Sequence, residues 1–261
     1  MIRFPTLGAL LTCSLFASAP LSAQSWWSKV PALPTSCFSD DGFFQNVDNV
    51  SHDVVLPAYT RQYDANEAID KQLQQLDAGT KQQRMMAFVQ KDPMNAGRFI
   101  QESQTSAQHA GEMQTEVDNK RKALAERYKS LEAQYKSEFA TTTDPLWTKF
   151  MNAQAPGAEV TVAQLKEYAA VFNAAYEKLC AKWWKGESPF AAYLRDFKTF
   201  EMESPIPVAE FGAKTKRQTL DIMGIPSAGY QSVGEQEGVM DYIKEAQKVY
   251  QLRFAAKATY P

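Results

Sequence analysis

Among the residues able to do chemistry, the three cysteines, Cys13, Cys37 and Cys180, come first. Cys13 sits in an apolar N-terminal stretch, and "LLTC" lacks the small residue expected before a lipidated cysteine. Two cysteines then remain for a mature, exported chain, and an even count in an oxidising compartment predicts a Cys37–Cys180 disulfide. Its loop of about 144 residues corresponds to about 5 kcal/mol of chain entropy as an upper figure. No metal centre is expected: His52 and His109 form no helical pair and have no third ligand near in sequence. "SDDGFFQNVDN" gathers Asp40, Asp41, Asp48 and Asn49, yet without the alternating oxygen ligands and closing Glu of a calcium loop. "GYQSVG" places Gly229 three residues before Ser232 rather than two, and no strand precedes it, so it is not a nucleophile elbow. No phosphate-cradling glycine loop occurs, and no cofactor is expected.

One acid stands in a suggestive context. In "GESPF", residues 186 to 190, Glu187, Ser188 and Phe190 resemble the Glu-Ser-x-Phe surroundings of the catalytic glutamate in soluble lytic transglycosylases. The resemblance covers about four residues and implies a helical envelope enzyme with Glu187 as general acid. The Gly-Leu-Met-Gln segment that follows in that family is absent, and "AAYLRDFKTFEMES" stands there instead. Helix capping accounts for the same residues: Ser188 caps, Pro189 takes the first helical position and Glu187 decorates the loop. The expectation is therefore no catalytic residue and no enzyme.

The chain also carries 5 Trp, 11 Tyr and 15 Phe. Most fall on helical stripes. The tandem pairs Trp26–Trp27 and Trp183–Trp184 are expected to leave one ring each partly exposed, because adjacent positions on a helix point about 100° apart. A Cys37–Cys180 bridge would bring the two pairs together as a binding patch, since exposed Trp is enriched at interface hot spots.

The elements that must position these residues read as helices. Thr161 with Gln164 and Thr80 with Gln83 fit capping boxes, and Asp64 with Glu67 is a variant. Asp92-Pro93, Asp144-Pro145 and Ser188-Pro189 each put a capping residue before a helix-starting proline. Gly79 and Gly224 suit helix C-termini. Leu165, Ala169, Phe172, Tyr176, Leu179 and Trp183 form one apolar stripe, and Val239, Ile243, Ala246, Tyr250 and Phe254 another. Residues 93 to about 140 read as one long helix with Met113, Val117, Leu124, Tyr128, Leu131 and Tyr135 on one side. Its outer face pairs Glu116 with Lys120, Asp118 with Lys122 and Glu132 with Lys136. Strand signals are nearly absent.

The fold class predicted is all-α: about seven helices, an elongated helical hairpin over 61–140 packed on a C-terminal helical bundle over 141–261. Residues 24–60 are expected to form an extended N-terminal arm and a first short helix, and "NAQAPGAE" (152–159) to be a linker. A basic start, the apolar stretch 4–16 and "LSAQ" give the layout of a secretory signal peptide cleaved after Ala23. Removing 23 residues from 261 leaves 238, with a net charge of about −3 once Arg3 is lost from 28 basic and 30 acidic residues. Lys120-Arg121-Lys122 is bracketed by Glu116, Asp118 and Glu126, a solvated helix face rather than a nucleic-acid footprint. No later stretch is long and apolar enough to span a bilayer. If the source is eukaryotic, Asn49-Val50-Ser51 is a glycosylation acceptor.

The functional expectation is an exported, periplasmic or secreted, non-enzymatic helical protein that binds another macromolecule: an adaptor, an inhibitor or immunity partner, or a chaperone-like holder. The alternatives are the glycan-acting enzyme with Glu187 and an oligomeric coiled-coil spacer. Lys120 and Arg121 fall where a coiled-coil seam residue should stand, which counts against the spacer.

Overall fold

The computed structural model describes residues 26–33 and 42–258. Residues 1–23, Cys37, Asp40 and Asp41 lie outside the described residues, and with them the expected signal peptide and one half of the expected disulfide.

The protein is all-α, with no strand among the described residues. A 3-10 turn, Trp26–Lys29, precedes α1 (Phe43–Asn49), which passes through π-helical Val50–Val55 into α2 (Leu56–Gln75). Then come α3 (Ala78–Lys91), α4 (Pro93–Asn152), α5 (Val162–Trp184), α6 (Pro189–Glu203), α7 (Pro205–Ile222) and α8 (Gly234–Ala258). The expected count of about seven fails because helices fuse. Residues 43 to 75 run without interruption, so Asp64 starts nothing, and α6 passes into α7 through Ser204 alone.

Local chemistry explains most boundaries. Thr161 and Gln164 form the reciprocal capping box that starts α5. Asp92 caps α4 by accepting from the Asn95 N–H at 3.1 Å, with Pro93 next in the helix. Gly224 ends α7 with φ +64°, and the Ile225 N–H returns to the Leu220 carbonyl at 2.9 Å. Gly79 does not end a helix. Asp77 accepts from the Thr80 N–H at 2.8 Å and from its hydroxyl at 2.6 Å, so α3 has already begun there. Ser188 precedes Pro189 as expected but makes no capping hydrogen bond through its side chain.

Asp144-Pro145 starts nothing either: Pro145 lies inside the 60-residue α4. An interior proline costs about 3 kcal/mol, and packing outweighs it. On both sides of Pro145, aromatic residues of α4 meet those of α5: Phe139 lies 6.4 Å from Phe172, Trp147 5.3 Å from Tyr168, and Phe150 4.9 Å from Tyr168, ring centre to ring centre. Ending α4 at Thr143 would surrender the Trp147 and Phe150 contacts with Tyr168. At 1.5 Å per residue the helix is about 90 Å long.

The 61–140 hairpin is narrower than expected. α3 folds back along the start of α4, with Phe88 and Phe99 meeting edge to face at 5.9 Å. α2 instead leaves α4 and packs against α8. Asp70 pairs with Lys216 of α7 at 2.6 Å, and Gln62 and Asn66 donate to the carbonyls of Gly229 and Gln231 at 2.9 and 2.7 Å. A small core of Leu220, Met223 and Ile225, with Ile69, Leu73 and Met85 against it, closes this end.

The main core lies where α4, α5, α6 and α8 meet. Val239, Ile243, Ala246 and Tyr250 of α8 are buried in it, as their spacing predicts; the Phe254 side chain lies outside those described. On α5, Phe172, Tyr176, Leu179 and Trp183 are buried, but Leu165 and Ala169 are exposed. Toward the N-terminus of α5 the buried position is Tyr168, packed on Trp147 and Phe150 of α4. The expected 152–159 linker falls at the loop between α4 and α5, which runs from 153 to 161, with Asn152 still the last residue of α4.

Candidate functional site

The tandem tryptophans do not form the expected exposed patch. Trp183 and Trp184 are 4 % and 7 % exposed. Both rings meet the same two partners: Tyr135 at 5.8 and 4.7 Å, and Phe190 at 5.7 and 4.8 Å. The rings do diverge on α5, but α4 covers one side while α6 turns back across the helix end and inserts Phe190 between them. The Trp183 indole N–H donates to Glu138 at 3.1 Å. Trp27 is buried against Tyr242, and Trp26 is partly buried under the Lys29 ammonium, 4.5 Å from the ring centre. Only Trp26 of the four keeps appreciable exposure.

The other sequence candidates scatter. Cys180 is buried in the core beside Tyr176. Glu187 is exposed and forms a bidentate ion pair with Arg195. The Ser232 hydroxyl accepts from the Gly234 N–H at 3.0 Å at the start of α8. His52 and His109 lie on different helices, and among the described residues no three metal-ligating side chains converge. Asp48 and Asn49 accept from Gln247 and Gln45 at 3.0 and 2.8 Å.

Two other places are built like sites. The first is a groove of about 590 Å³ between α4 and α5. Thr142 and Leu146 form one wall; Val171, Ala174 and Ala175 form the other. The Lys182–Glu138 pair, 2.7 Å, closes one end. Val171 is 55 % exposed at the mouth of the groove. The signal was present in sequence: α5 is rich in Ala and Val on both of its faces, more than one buried stripe requires.

The second is a cleft of about 440 Å³ where the α6–α7 joint meets α2, α4 and the first turns of α8. It is lined by Tyr59, Arg121, Glu201, Glu237, Asp241 and Lys244, with Pro205 and Met240 as its apolar parts. Glu201 is 1 % exposed, and its Oε1 has no hydrogen-bond partner. The Arg121 guanidinium stands 3.7 Å from that atom, close enough for Coulomb attraction but beyond hydrogen-bond reach. Burial raises the Glu201 carboxyl to about 7; Arg121 opposes the rise and Asp241 adds to it. Gly238 lets α8 pack closely here: a Cβ there would stand 3.2 Å from the Glu201 backbone carbonyl and 3.4 Å from the Trp27 ring. Sequence reasoning passed over Glu201, although it falls on the α6 stripe four residues after Phe197 and seven after Leu194. An acid on an apolar stripe was the available clue.

The chain matches no protein-family model, no curated protein and no solved structure.

Proposed function

We propose that this chain is an exported, non-enzymatic protein that binds another macromolecule of the envelope or secreted milieu, as an adaptor, an inhibitor or immunity partner, or a chaperone-like holder. In this reading residues 1–23 direct export and are removed after Ala23, and Cys37 and Cys180 are joined in the oxidising compartment. The observation that carries the binding role is the α4–α5 groove, whose apolar lining of Leu146, Val171, Ala174 and Ala175 lies open to solvent with Val171 55 % exposed. A water-facing helix gains nothing from such a surface, and contiguous exposed apolar patches mark interaction sites. The groove runs between two long helices, so its occupant is the apolar face of an amphipathic helix anchored at i, i+3, i+4 and i+7. This moves the binding site away from the tryptophans.

The test is affinity capture from the native envelope, followed by mass spectrometry, with wild-type protein and Val171→Asp side by side. The exposed site tolerates a charge, so helical circular dichroism should be unchanged while partner recovery falls by about 30-fold, the effect of losing about 2 kcal/mol at an interface anchor. Equal recovery with Val171→Asp ends the reading. The glycan-acting alternative is tested in the same preparation: muropeptide release abolished by Glu187→Gln would replace the binding role with catalysis.

A further inference from the structure

The Glu201 cleft plays no part in the binding role just described, and it is assembled at a cost that packing does not explain. Four elements contribute to it, and its deepest polar atom, Glu201 Oε1, lacks a donor. A buried carboxylate oxygen without a hydrogen-bond donor is expensive even with Arg121 3.7 Å away, and an apolar side chain in its place would pack without that penalty. The charges facing Glu201 from every neighbouring element are Arg121 from α4 and Asp241 from α8, while Lys244, Glu237 and Tyr59 complete the rim. Asp241 is occupied with Lys244 at 3.1 Å, and Glu237 interacts with the Tyr59 hydroxyl. With three carboxylates against two cations, the ionised cleft is one positive charge short. Met240 and Pro205 offer the apolar surface, and about 440 Å³ lies within the range of small-ligand pockets.

We propose that this cleft is a binding site for a small primary alkylammonium ligand, whose N–H groups satisfy Glu201 Oε1 and whose alkyl stem lies against Met240 and Pro205. The ammonium supplies both what the atom lacks, a donor, and what the cleft lacks, a charge. Binding requires the ionised carboxylate. At pH 6, a unit below its raised value of about 7, Glu201 of the empty cleft is mostly protonated, so association there releases a proton to solvent.

Titration calorimetry of the full chain with butylammonium chloride, butanol and butyrate tests this. Butylammonium should bind saturably, and about tenfold more tightly at pH 8 than at pH 6, because Glu201 is about one-tenth ionised at the lower value. Repeating the titration in buffers of different ionisation enthalpy should show a proton released at pH 6. Glu201→Gln keeps the side-chain shape and should weaken binding at least 30-fold while abolishing the pH dependence. Binding of butanol as tight as that of the amine, a preference for butyrate, or unchanged affinity in Glu201→Gln would each overturn the assignment. The groove between α4 and α5 is a separate surface, so failure here leaves the macromolecular reading standing, and failure there leaves this one.

Discussion

An ionised carboxylate at Glu201 gives up water at Oε1 without receiving a hydrogen bond there in exchange, and this has a thermodynamic consequence even without a ligand. The ordinary value of 4.5 describes the unfolded chain, and burial moves the folded value to about 7. Below 4.5 both states are protonated and the group contributes nothing. Between the two values the folded state holds more protons, so stability falls as pH rises, and above about 7 the full penalty is present. At about 1.4 kcal/mol per unit, that penalty is on the order of 3 kcal/mol. Glu201→Gln should therefore flatten the stability profile between pH 5 and pH 8 and leave the variant more stable at pH 8. Urea unfolding at the two pH values checks this; identical slopes for wild type and variant would mean that Glu201 is hydrated in solution. The paired, exposed Glu187 offers a contrast, since a carboxylate in water beside Arg195 has no such penalty to relieve.

Three helices of this protein, α3, α4 and α5, begin where a side chain accepts the first free N–H groups, and α5 is the clearest case. Thr161 Oγ1 accepts from the Gln164 N–H at 3.3 Å, while Gln164 Oε1 accepts from the Thr161 N–H at 2.9 Å. Thr161→Ala removes one arm of that box and should cost about 1 kcal/mol, with thermal unfolding as the readout. Because α5 forms one wall of the groove, the same variant should loosen partner capture only slightly; an unchanged melting temperature would show that packing alone fixes the helix start. Such caps are legible in sequence because each is decided within four residues, as at Asp92 and Gly224 too. Pro145 and Trp184 were misread for the complementary reason. Their outcome depends on what α5 and α6 bring from elsewhere in the chain, and no local rule contains Phe190 covering Trp184 or Tyr168 packing beyond Pro145. The sites follow the same division. A groove between α4 and α5 requires knowing how those two helices pack, and the Glu201 cleft draws on side chains up to 185 residues apart, from Tyr59 to Lys244.

At the scale of the whole molecule, the N-terminal turn and the C-terminal helix close on each other. The Trp26 N–H donates to Glu235 at 3.1 Å, Trp27 meets Tyr242 edge to face at 5.9 Å, and the Lys198 ammonium stands 5.7 Å from the Trp27 ring centre. These contacts hold residues 26–33, which among the described residues have no helix or sheet ladder of their own beyond a single turn. A Cys37–Cys180 disulfide would fasten the same segment to α5, where Cys180 is fully buried. Non-reducing peptide mapping of the exported protein should recover one cross-linked peptide joining these two positions. Energetics can separate a bridge from a cysteine that merely packs well. If the bond exists, Cys37→Ala and Cys180→Ala each lose it, so each should cost about 2–5 kcal/mol and the double variant far less than their sum. If Cys180 is only a core residue, Cys180→Ala still destabilises by leaving space beside Tyr176, but Cys37→Ala alone is nearly neutral and the two effects add. A neutral Cys37→Ala, with both thiols of the folded wild-type protein open to alkylation after denaturation without reductant, would remove the disulfide from the account of how this fold is held.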